Sequence, residues 1–397
     1  MPSCFLQACC QILKNLRTGK GFKLEEECHL ITKGDDFPIH QTPEPIAFSG
    51  TDRNFYDRYF FNGYTRDGDV YFTTAFGVYP HLNIIDASFC IVYNGVQHNL
   101  HASGYLNMER LDTEVGPIKL EVIEPLNVLR ITVNDNEHGI RAEVTFHART
   151  VPIKEPRFTW RNGPRAFMDY TRFTQNGTYD GWIDVKGENI TLTRDAYLGT
   201  RDRSWGVRPI GEKDPQPMVP PMDPQFYWLW APLNFEDRIS LYHVNEDGKG
   251  YDWNHAAVIC GLDGAEPEEM RKCWSELTFK SGSRHAKEAS LFLENKKGEI
   301  TKIDLTVQWQ YYMMGMGYNN PEWNHGKNKG ELAVGYDSII LEEITTSYAP
   351  YHHIQAFVSA RMTLPNGETL DGVGILEQAI IGPHEPSGFK NNLDVAP

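Results

Sequence analysis

The segment YLGTRDRSWGVRPIG, at residues 197–211, places charged side chains around a tryptophan. Asp202 lies between Arg201 and Arg203, and Trp205 follows. An arginine that pairs with a buried carboxylate keeps it ionised, which makes it a poor general acid but a good anchor or stabiliser of a cation. A solvent-exposed loop with scattered charges is the alternative. Trp205 favours the buried interpretation, because an indole ring gains free energy on burial.

The secondary structure of this segment decides which side chains meet. Side chains of a β-strand alternate between two faces. A strand would therefore place Asp202 and Ser204 on one face and Arg201, Arg203 and Trp205 on the other. In that arrangement neither neighbouring arginine faces Asp202.

A second candidate group lies in NFYDRYFFNG, at residues 54–63. Strand alternation would divide it into Tyr56, Arg58 and Phe60 on one face and Asp57, Tyr59 and Phe61 on the other. A tyrosine beside a carboxylate inside a barrel could donate a proton or bind a polar group. The simpler interpretation is an aromatic core with hydroxyls at its rim. Tyr59 is a candidate proton donor, and Tyr56 and Asp57 are candidate substrate contacts.

Two later segments supply further candidates. Residues 311–326, YYMMGMGYNNPEWNHG, are typical of either a ligand-pocket wall or ordinary loop packing. Their candidates are Met313, Met314 and Met316 as substrate contacts and His325 as a proton donor. Glu377 lies in the apolar segment 371–382 and either faces solvent or faces a barrel interior, where burial would raise its pKa as a general acid requires. Trp228 is a further candidate substrate contact.

Strands separated by tight turns must position these residues. Two apolar runs meet at Asp67-Gly68 and two more at Asn94-Gly95, and both dipeptides are strong hairpin signals. Apolar and polar residues alternate over residues 118–149. The second half of the chain again shows short strands between glycine-containing turns. This pattern predicts an antiparallel meander and disfavours alternating strands and helices.

A proline-rich segment at residues 211–225 separates the two sets of strands, and proline is excluded from helix and central-strand interiors. Each half has enough strands to close around a ligand. The predicted fold class is therefore all-β, with two antiparallel β-barrels packed together. We expect an N-terminal extension (1–45) with a short helix over residues 4–17, a first barrel domain (46–215) and a second barrel domain (216–397).

The composition limits the functions that fit this chain. A net charge of −15 argues against nonspecific binding to nucleic acid and against docking to anionic membranes. Seven cysteines, an odd number, form no metal-binding CxxC pair, and the first 21 residues lack the basic start of a signal peptide. These features predict a cytoplasmic protein with reduced thiols and no membrane insertion. No sequence signature of a nucleotide or metal site is present.

Three segments together resemble one family. YDRYFFNG, GTRDRSWGVR and GVGILEQAIIG are similar, in order and spacing, to motifs of the carotenoid 1,2-hydratase-like superfamily. The resemblance covers most of the chain beyond residue 50. It implies two lipocalin-like barrels and a hydrophobic, isoprenoid or polyketide-like substrate, with hydration or cyclisation as the activity and no metal or organic cofactor. Asp202, Trp205, Gly206 and Glu377 match motif positions, whereas Arg203 replaces the usual histidine.

The expected function is a cofactor-independent hydratase or dehydratase acting on a terpenoid, steroid or polyketide-like molecule. In such chemistry an acid protonates a carbon–carbon double bond, aromatic faces stabilise the cation and a carboxylate guides water. Asp202 and Glu377 would share these roles, with Arg201 and Arg203 holding Asp202 and with Tyr59 and His325 as reserve donors. Two alternatives stay open, a cyclase or isomerase of the same fold and a ligand-binding protein without chemistry. The oligomeric state also stays open, with a homodimer as one option.

Overall fold

The computed structural model describes residues 36–37, 52–216, 219–222, 224–262, 264, 266–346 and 348–397. These residues form an all-β protein of two antiparallel sheets, as the sequence predicts. The predicted helix over residues 4–17 lies outside the described residues. The described residues also contain short 3-10 turns, at Pro80–Leu82, Met313–Met316, Leu341–Glu343, Ala349–His352 and Glu385–Ser387.

The first sheet contains fourteen of the described strands. They are β1 (Phe55–Thr65), β2 (Tyr71–Tyr79), β3 (Ile84–Tyr93), β4 (Val96–Tyr105), β5 (Glu114–Val115), β6 (Ile118–Glu124), β7 (Val128–Val133), β8 (Ile140–Ala148), β9 (Ile153–Lys154), β10 (Phe158–Asn162), β11 (Arg165–Val185), β12 (Glu188–Leu192), β13 (Tyr197–Val207) and β21 (Leu332–Ile340). The main path runs β21-β4-β3-β2-β1-β13-β11-β8-β7-β6-β5, and β9, β10 and β12 pair with the long strand β11. The sheet curls until β5 and β6 approach β3 and β4, which gives a nearly closed lipocalin-like barrel.

The second sheet contains nine of the described strands. They are β14 (Phe226–Phe235), β15 (Arg238–Glu246), β16 (Asp252–Gly261), β17 (Glu268–Glu269), β18 (Lys272–Phe279), β19 (Ala286–Glu294), β20 (Ile300–Tyr312), β22 (His353–Thr363) and β23 (Thr369–Ile381). Their order is β17-β16-β15-β14-β23-β22-β20-β19-β18, and β16 approaches β18 across the opening. The second lipocalin-like barrel is therefore built from the C-terminal half of the chain.

Strand β21 crosses from the second half of the chain to the first sheet. It pairs antiparallel with β4, with Leu332 opposite Gly104 and Ile340 opposite Val96. The proline-rich segment thus separates the strands of the two sheets with the exception of β21. The domain limits at residues 45 and 215 stay a prediction.

Three glycines stand in register on neighbouring strands of the first sheet. Gly199 of β13 lies opposite Gly63 of β1 and Gly177 of β11. A Cβ atom on Gly63 would lie 2.2 Å from the ring of Phe72, and one on Gly177 would lie 2.1 Å from the ring of Phe146. Glycine at these positions allows the two rings to pack directly on the backbone.

Strand alternation creates a hydrophobic layer between the sheets in addition to the two barrel interiors. Phe61 of β1 belongs to the core of the first barrel, whereas its neighbour Phe60 belongs to the layer between the sheets. The layer also contains large aromatic side chains from both halves, among them Tyr71, Trp228, Trp230, Tyr311 and Phe357. One face of β1 and β13 is therefore directed at the second sheet.

Candidate active site between the two sheets

Asp202 lies on the face of β13 that is directed at the second sheet. In register it stands between Phe60 of β1 and Thr174 of β11. Two residues further along, Ser204 stands between Arg58 and Arg172 on the same two strands. Asp202 is half-buried, and no hydrogen bond or ion pair joins it to another described residue.

The surroundings of Asp202 favour its protonated form. Burial raises the pKa of Asp202 to about 6, and the negative charges of Glu155 and Glu377 act in the same direction. The positive charges of Arg172 and Arg58 oppose this rise. A carboxyl group with a pKa near neutrality can hold a proton and release it, as a general acid must.

Glu377 has the opposite character. Its Oε1 accepts hydrogen bonds from His353 Nε2 at 2.8 Å and from Trp228 Nε1 at 3.1 Å, and its Oε2 accepts one from Gln355 Nε2 at 2.6 Å. Burial alone would raise the pKa of Glu377, but the bonds from His353 and Gln355 and the charge of Arg172 outweigh it and lower the pKa. Glu377 is therefore an ionised, hydrogen-bonded carboxylate at neutral pH, and the expected rise of its pKa is wrong.

A polar chain ties Glu377 to the first sheet. Gln355 of β22 accepts hydrogen bonds through its Oε1 from Asn62 Nδ2 at 3.1 Å and from the hydroxyl of Tyr71. Asn62 in turn accepts a bond from the backbone N–H of Thr200 at 2.9 Å. Buried amides that satisfy one another in this way fix the relative placement of the elements that carry them.

Arg172 supplies the central positive charge. Its Nε lies 3.0 Å from both carboxylate oxygens of Glu155, and Thr174 donates its hydroxyl to the same carboxylate at 2.5 Å. The guanidinium carbon lies 4.8 Å from the ring centre of Trp228 and 5.1 Å from that of Trp230. Ion pairing and cation–π contacts together hold this cation in an aromatic layer.

His325 has no free ring nitrogen. Its Nε2 donates to the backbone oxygen of Met316 at 2.7 Å, and Arg208 donates from Nη2 to its Nδ1 at 3.2 Å. Burial, together with the positive charges of Arg58 and Arg208, holds the pKa of His325 well below its usual value. The histidine is therefore neutral and fixed in place, so the geometry gives no support to its predicted role as a proton donor.

The two arginines beside Asp202 in sequence do not hold it. Arg201 pairs with Asp36 at 2.6 Å inside the first barrel, and Arg203 pairs with Asp57 there. The physical reason is strand alternation, which directs both arginines away from Asp202. Asp57 accordingly belongs to an ion pair of the first barrel and not to the layer between the sheets.

Tyr59 and Trp205 also lie on the side of the first barrel. Tyr59 donates its hydroxyl to the backbone oxygen of Asp36, and the guanidinium carbon of Arg203 lies 3.9 Å from the centre of its ring. Trp205 stands edge-on to Phe173, with ring centres 6.5 Å apart. Neither residue is placed with Asp202.

The remaining candidates lie near the layer between the sheets. Met313, Met316 and Trp228 belong to this layer, whereas Met314 packs against the core of the second barrel. Tyr56 borders the layer, and its ring lies 6.0 Å from that of Tyr170 in an edge-on contact.

Sequence reasoning missed four polar residues of this cluster, Glu155, Arg172, His353 and Gln355. A usable signal existed in β22, because His353 and Gln355 are two residues apart and therefore share a face. Glu377 lies opposite Gln355 in the pairing of β22 with β23. Arg172 and Glu155 gave no comparable signal, because their meeting depends on the course of the chain between β9 and β11.

In the described part of the chain, no group of three or more histidine, cysteine, aspartate or glutamate side chains could hold a metal ion. None of the helices in that part is both long and apolar enough to pass through a lipid bilayer.

These features define a double-barrel β-protein with a charged, aromatic cluster between its sheets. The sequence model of a family described as "Family of unknown function (DUF8625)" matches residues 31–390, so the chain belongs to this family. No curated protein matches the sequence.

Three solved structures are similar to this protein to different degrees. A candidate AttH protein from Nitrosomonas europaea superposes with a TM-score of 0.51 at 13% identity, covering 86% of this chain and 98% of the other. Kievitone hydratase from Nectria haematococca gives 0.46 at 12% identity, covering 81% and 88%. CghA with Sch210972 gives 0.47 at 10% identity, covering 83% and 89%. The match to the candidate AttH protein confirms the two-barrel fold that the sequence resemblance implies.

Proposed function

We propose that this protein is an enzyme that adds or removes water at a carbon–carbon double bond of a hydrophobic small molecule. One observation carries the proposal: two carboxylates in the same cluster have opposite environments. Asp202 has a pKa raised to about 6 by burial, whereas the hydrogen bonds to Glu377 lower its pKa. Two titratable groups whose pKa values are shifted in opposite directions are the usual basis of acid and base roles at one site.

In the hydration direction, protonated Asp202 transfers its proton to one carbon of the double bond. Positive charge then develops on the other carbon. The ring of Trp228 and the ionised Glu377 stabilise this charge. Both groups belong to one hydrogen-bonded unit, because Trp228 donates to Glu377.

A water molecule then attacks the cationic carbon and must lose a proton. His353 suits this step, because its Nε2 donates to Glu377 and its Nδ1 makes no hydrogen bond with a described residue. A carboxylate that orients an imidazole and stabilises its protonated form is a common arrangement for a general base. Dehydration follows the same steps in reverse, with Asp202 accepting the proton back.

The substrate class proposed is a terpenoid, steroid or polyketide-like molecule, as the sequence resemblance implies. The layer around the cluster is apolar and rich in aromatic and methionine side chains, which suits such a ligand. The proposed chemistry uses side chains of this chain and no cofactor. We further propose that the protein acts in the cytoplasm, without nucleic acid as a partner.

A cyclase or isomerase of the same fold is the second candidate. The fixed hydrogen bonds of Glu377 and the cation–π contacts of Arg172 would suit a rigid template that shapes a reactive substrate. In that case proton transfer by Asp202 is secondary. Replacement of Asp202 by asparagine would then leave turnover largely intact.

The test is incubation of the protein with candidate terpenoids and steroids in heavy-oxygen water. A hydratase incorporates the label into product, and Asp202→Asn should reduce the rate about a hundredfold, which corresponds to about 3 kcal/mol of transition-state stabilisation. Asp371→Asn serves as the matched control, because Asp371 is exposed and pairs with Arg361 at the surface. Product without label, formed equally by the wild type and Asp202→Asn, would contradict the hydratase and favour the cyclase.

A further inference from the structure

Arg58 lies near Asp202, and neither Arg58 nor Arg208 has a carboxylate partner among the described residues. Arg58 is 3% exposed, and its Nη1 donates to the hydroxyl of Tyr318 at 2.7 Å. Its Nε and Nη2 are buried without a hydrogen-bond acceptor among the described residues. Arg208 donates from Nη2 to His325, and its buried Nε has no acceptor among these residues.

Both guanidinium groups pack against one side chain, Tyr318. Their central carbons lie 4.9 Å (Arg58) and 5.4 Å (Arg208) from the ring centre of Tyr318. Both charges also act on the same two neighbours. After burial, they are the main contributors to the low pKa of His325, and both oppose the burial that raises the pKa of Asp86 to about 6.

Asp86 is the carboxylate that could have neutralised them, but it is occupied elsewhere. Its Oδ1 accepts a hydrogen bond from the Tyr79 hydroxyl at 3.0 Å, and its Oδ2 accepts one from the backbone N–H of Gly326 at 2.7 Å. It forms no ion pair with Arg58 or Arg208.

Other buried arginines have carboxylate partners or, as for Arg284, several backbone oxygens as acceptors. Arg172 pairs with Glu155, and Arg201 pairs with Asp36. A buried charge without such a partner is unfavourable, because it has lost the hydration that it has in water. Arg172 and Arg201 also have an N–H group without an acceptor, but Arg58 and Arg208 combine such groups with the lack of a carboxylate partner among the described residues. Their unused N–H groups are therefore available as donors to a ligand.

We propose that Arg58 and Arg208 bind an acidic headgroup, a carboxylate, on the hydrophobic substrate. This inference rests on the proposed function, because it names the substrate class of the same site. A guanidinium offers several N–H donors in a planar fork that matches a carboxylate. Arg58 stands opposite Ser204, which is two residues from Asp202 and on the same face of the sheet. A headgroup bound by Arg58 therefore places the adjoining hydrocarbon beside Asp202.

Matched pairs of ligands test this proposal. Farnesoic acid and farnesol, geranylgeranoic acid and geranylgeraniol, and retinoic acid and retinol differ only in the headgroup. We expect the wild type to bind at least one acid tenfold or more tightly than its alcohol, measured by quenching of tryptophan fluorescence. Arg58→Gln and Arg208→Gln should each weaken acid binding about tenfold and change alcohol binding less than twofold.

The controls separate a ligand contact from a loss of fold. Arg361→Gln removes an exposed arginine and should leave every affinity unchanged. Arg58→Lys keeps the charge without the fork, so it should retain part of the acid preference even if Arg58→Gln unfolds. Melting curves of each variant identify those that are folded.

Three outcomes would overturn the headgroup assignment: equal affinity for acid and alcohol in every pair, failure of every acid to bind, or equal weakening of acid and alcohol in a folded Arg58 variant. The proposed reaction can fail separately. Acids that bind with the expected preference but take up no heavy oxygen would remove the hydratase and leave the headgroup assignment in place.

Discussion

Asp202 and Glu377 illustrate how side chains of the same chemistry become different groups. Asp202 has no hydrogen bond from a described residue, whereas both oxygens of Glu377 accept hydrogen bonds from His353, Trp228 and Gln355. Hydrogen bonds to the charged form lower a pKa, and burial without them raises it. The stability of the protein should therefore respond in opposite directions when each residue is replaced by its amide.

Asp202→Asn should stabilise the protein above about pH 6. In the folded state the pKa of Asp202 is about 6, above its ordinary value of 3.8. Between these values the folded protein binds more protons than the unfolded chain, so stability falls as the pH rises through this window. The variant lacks this loss. Melting temperatures between about pH 4 and pH 8 should show a difference that grows in favour of the variant.

A melting temperature of Asp202→Asn that is strongly lowered at every pH would instead show that Asp202 stabilises the fold. Asp371→Asn, the exposed control, should show no growing difference.

Glu377→Gln should destabilise the protein by about 1–3 kcal/mol at neutral pH. The side-chain NH2 of the glutamine would replace a carboxylate oxygen that accepts a hydrogen bond, so two donors would face each other. A lowered pKa contributes stability above the unfolded value near 4.5, and this contribution is lost as the pH falls through the folded value. Urea unfolding at about pH 7 and about pH 3.5 should show a smaller difference at the lower pH. Glu276→Gln, an exposed control, should change neither value. Equal stability of Glu377→Gln and the wild type would contradict a stabilising role for the hydrogen bonds to Glu377.

At the scale of the elements, β21 makes the first sheet dependent on the second half of the chain. Asn99 of β4 donates to Asp337 of β21 at 2.6 Å, and His101 lies 2.9 Å from the same carboxylate. Without β21, these polar groups and one backbone edge of β4 have no partner strand. Unpaired edges of this kind promote aggregation.

A fragment of residues 36–215, which keeps Asp36 as the partner of Arg201, should therefore fail to unfold cooperatively and should aggregate. The same fragment extended by a flexible linker and residues 330–342 should recover a cooperative transition, because the added segment supplies β21. Circular dichroism during thermal unfolding and size-exclusion chromatography measure both properties. A monomeric, cooperatively unfolding 36–215 fragment would show that the first barrel is independent of β21.

At the scale of the whole molecule, the reactivity of the cysteine thiols tests both the folded structure and the proposed cytoplasmic location. Cys90, Cys260 and Cys273 are buried, and burial raises the pKa of Cys90 and of Cys273 to about 12. A buried thiol with a raised pKa reacts slowly, because the thiolate is the reactive form. These three cysteines should be protected from a thiol reagent in the folded protein.

Unfolding the protein under nonreducing conditions should expose seven reactive thiols, the number of cysteines in the chain. This result is expected for a cytoplasmic protein, in which disulfides are rare. A titration of five or fewer thiols would reveal a native disulfide and contradict the proposed compartment.

The all-β class and the strand turns could be predicted from the sequence alone. Alternation also placed Tyr56, Arg58 and Phe60 on one face of β1 and Asp57, Tyr59 and Phe61 on the other, as the sheet pairing and the burial of these residues confirm. These features are local, because they depend on the period of two along a strand and on the backbone preferences of turn residues.

The partners of each charged residue were decided only by the tertiary structure. Asp202 lies next to Arg201 and Arg203 in sequence, yet the charges that oppose its raised pKa are those of Arg172 and Arg58. Glu377 meets His353 and Gln355 because β22 and β23 pair in one register. A strand sends neighbouring side chains to opposite faces, so contacts across sheets depend on the packing of strands far apart in the chain.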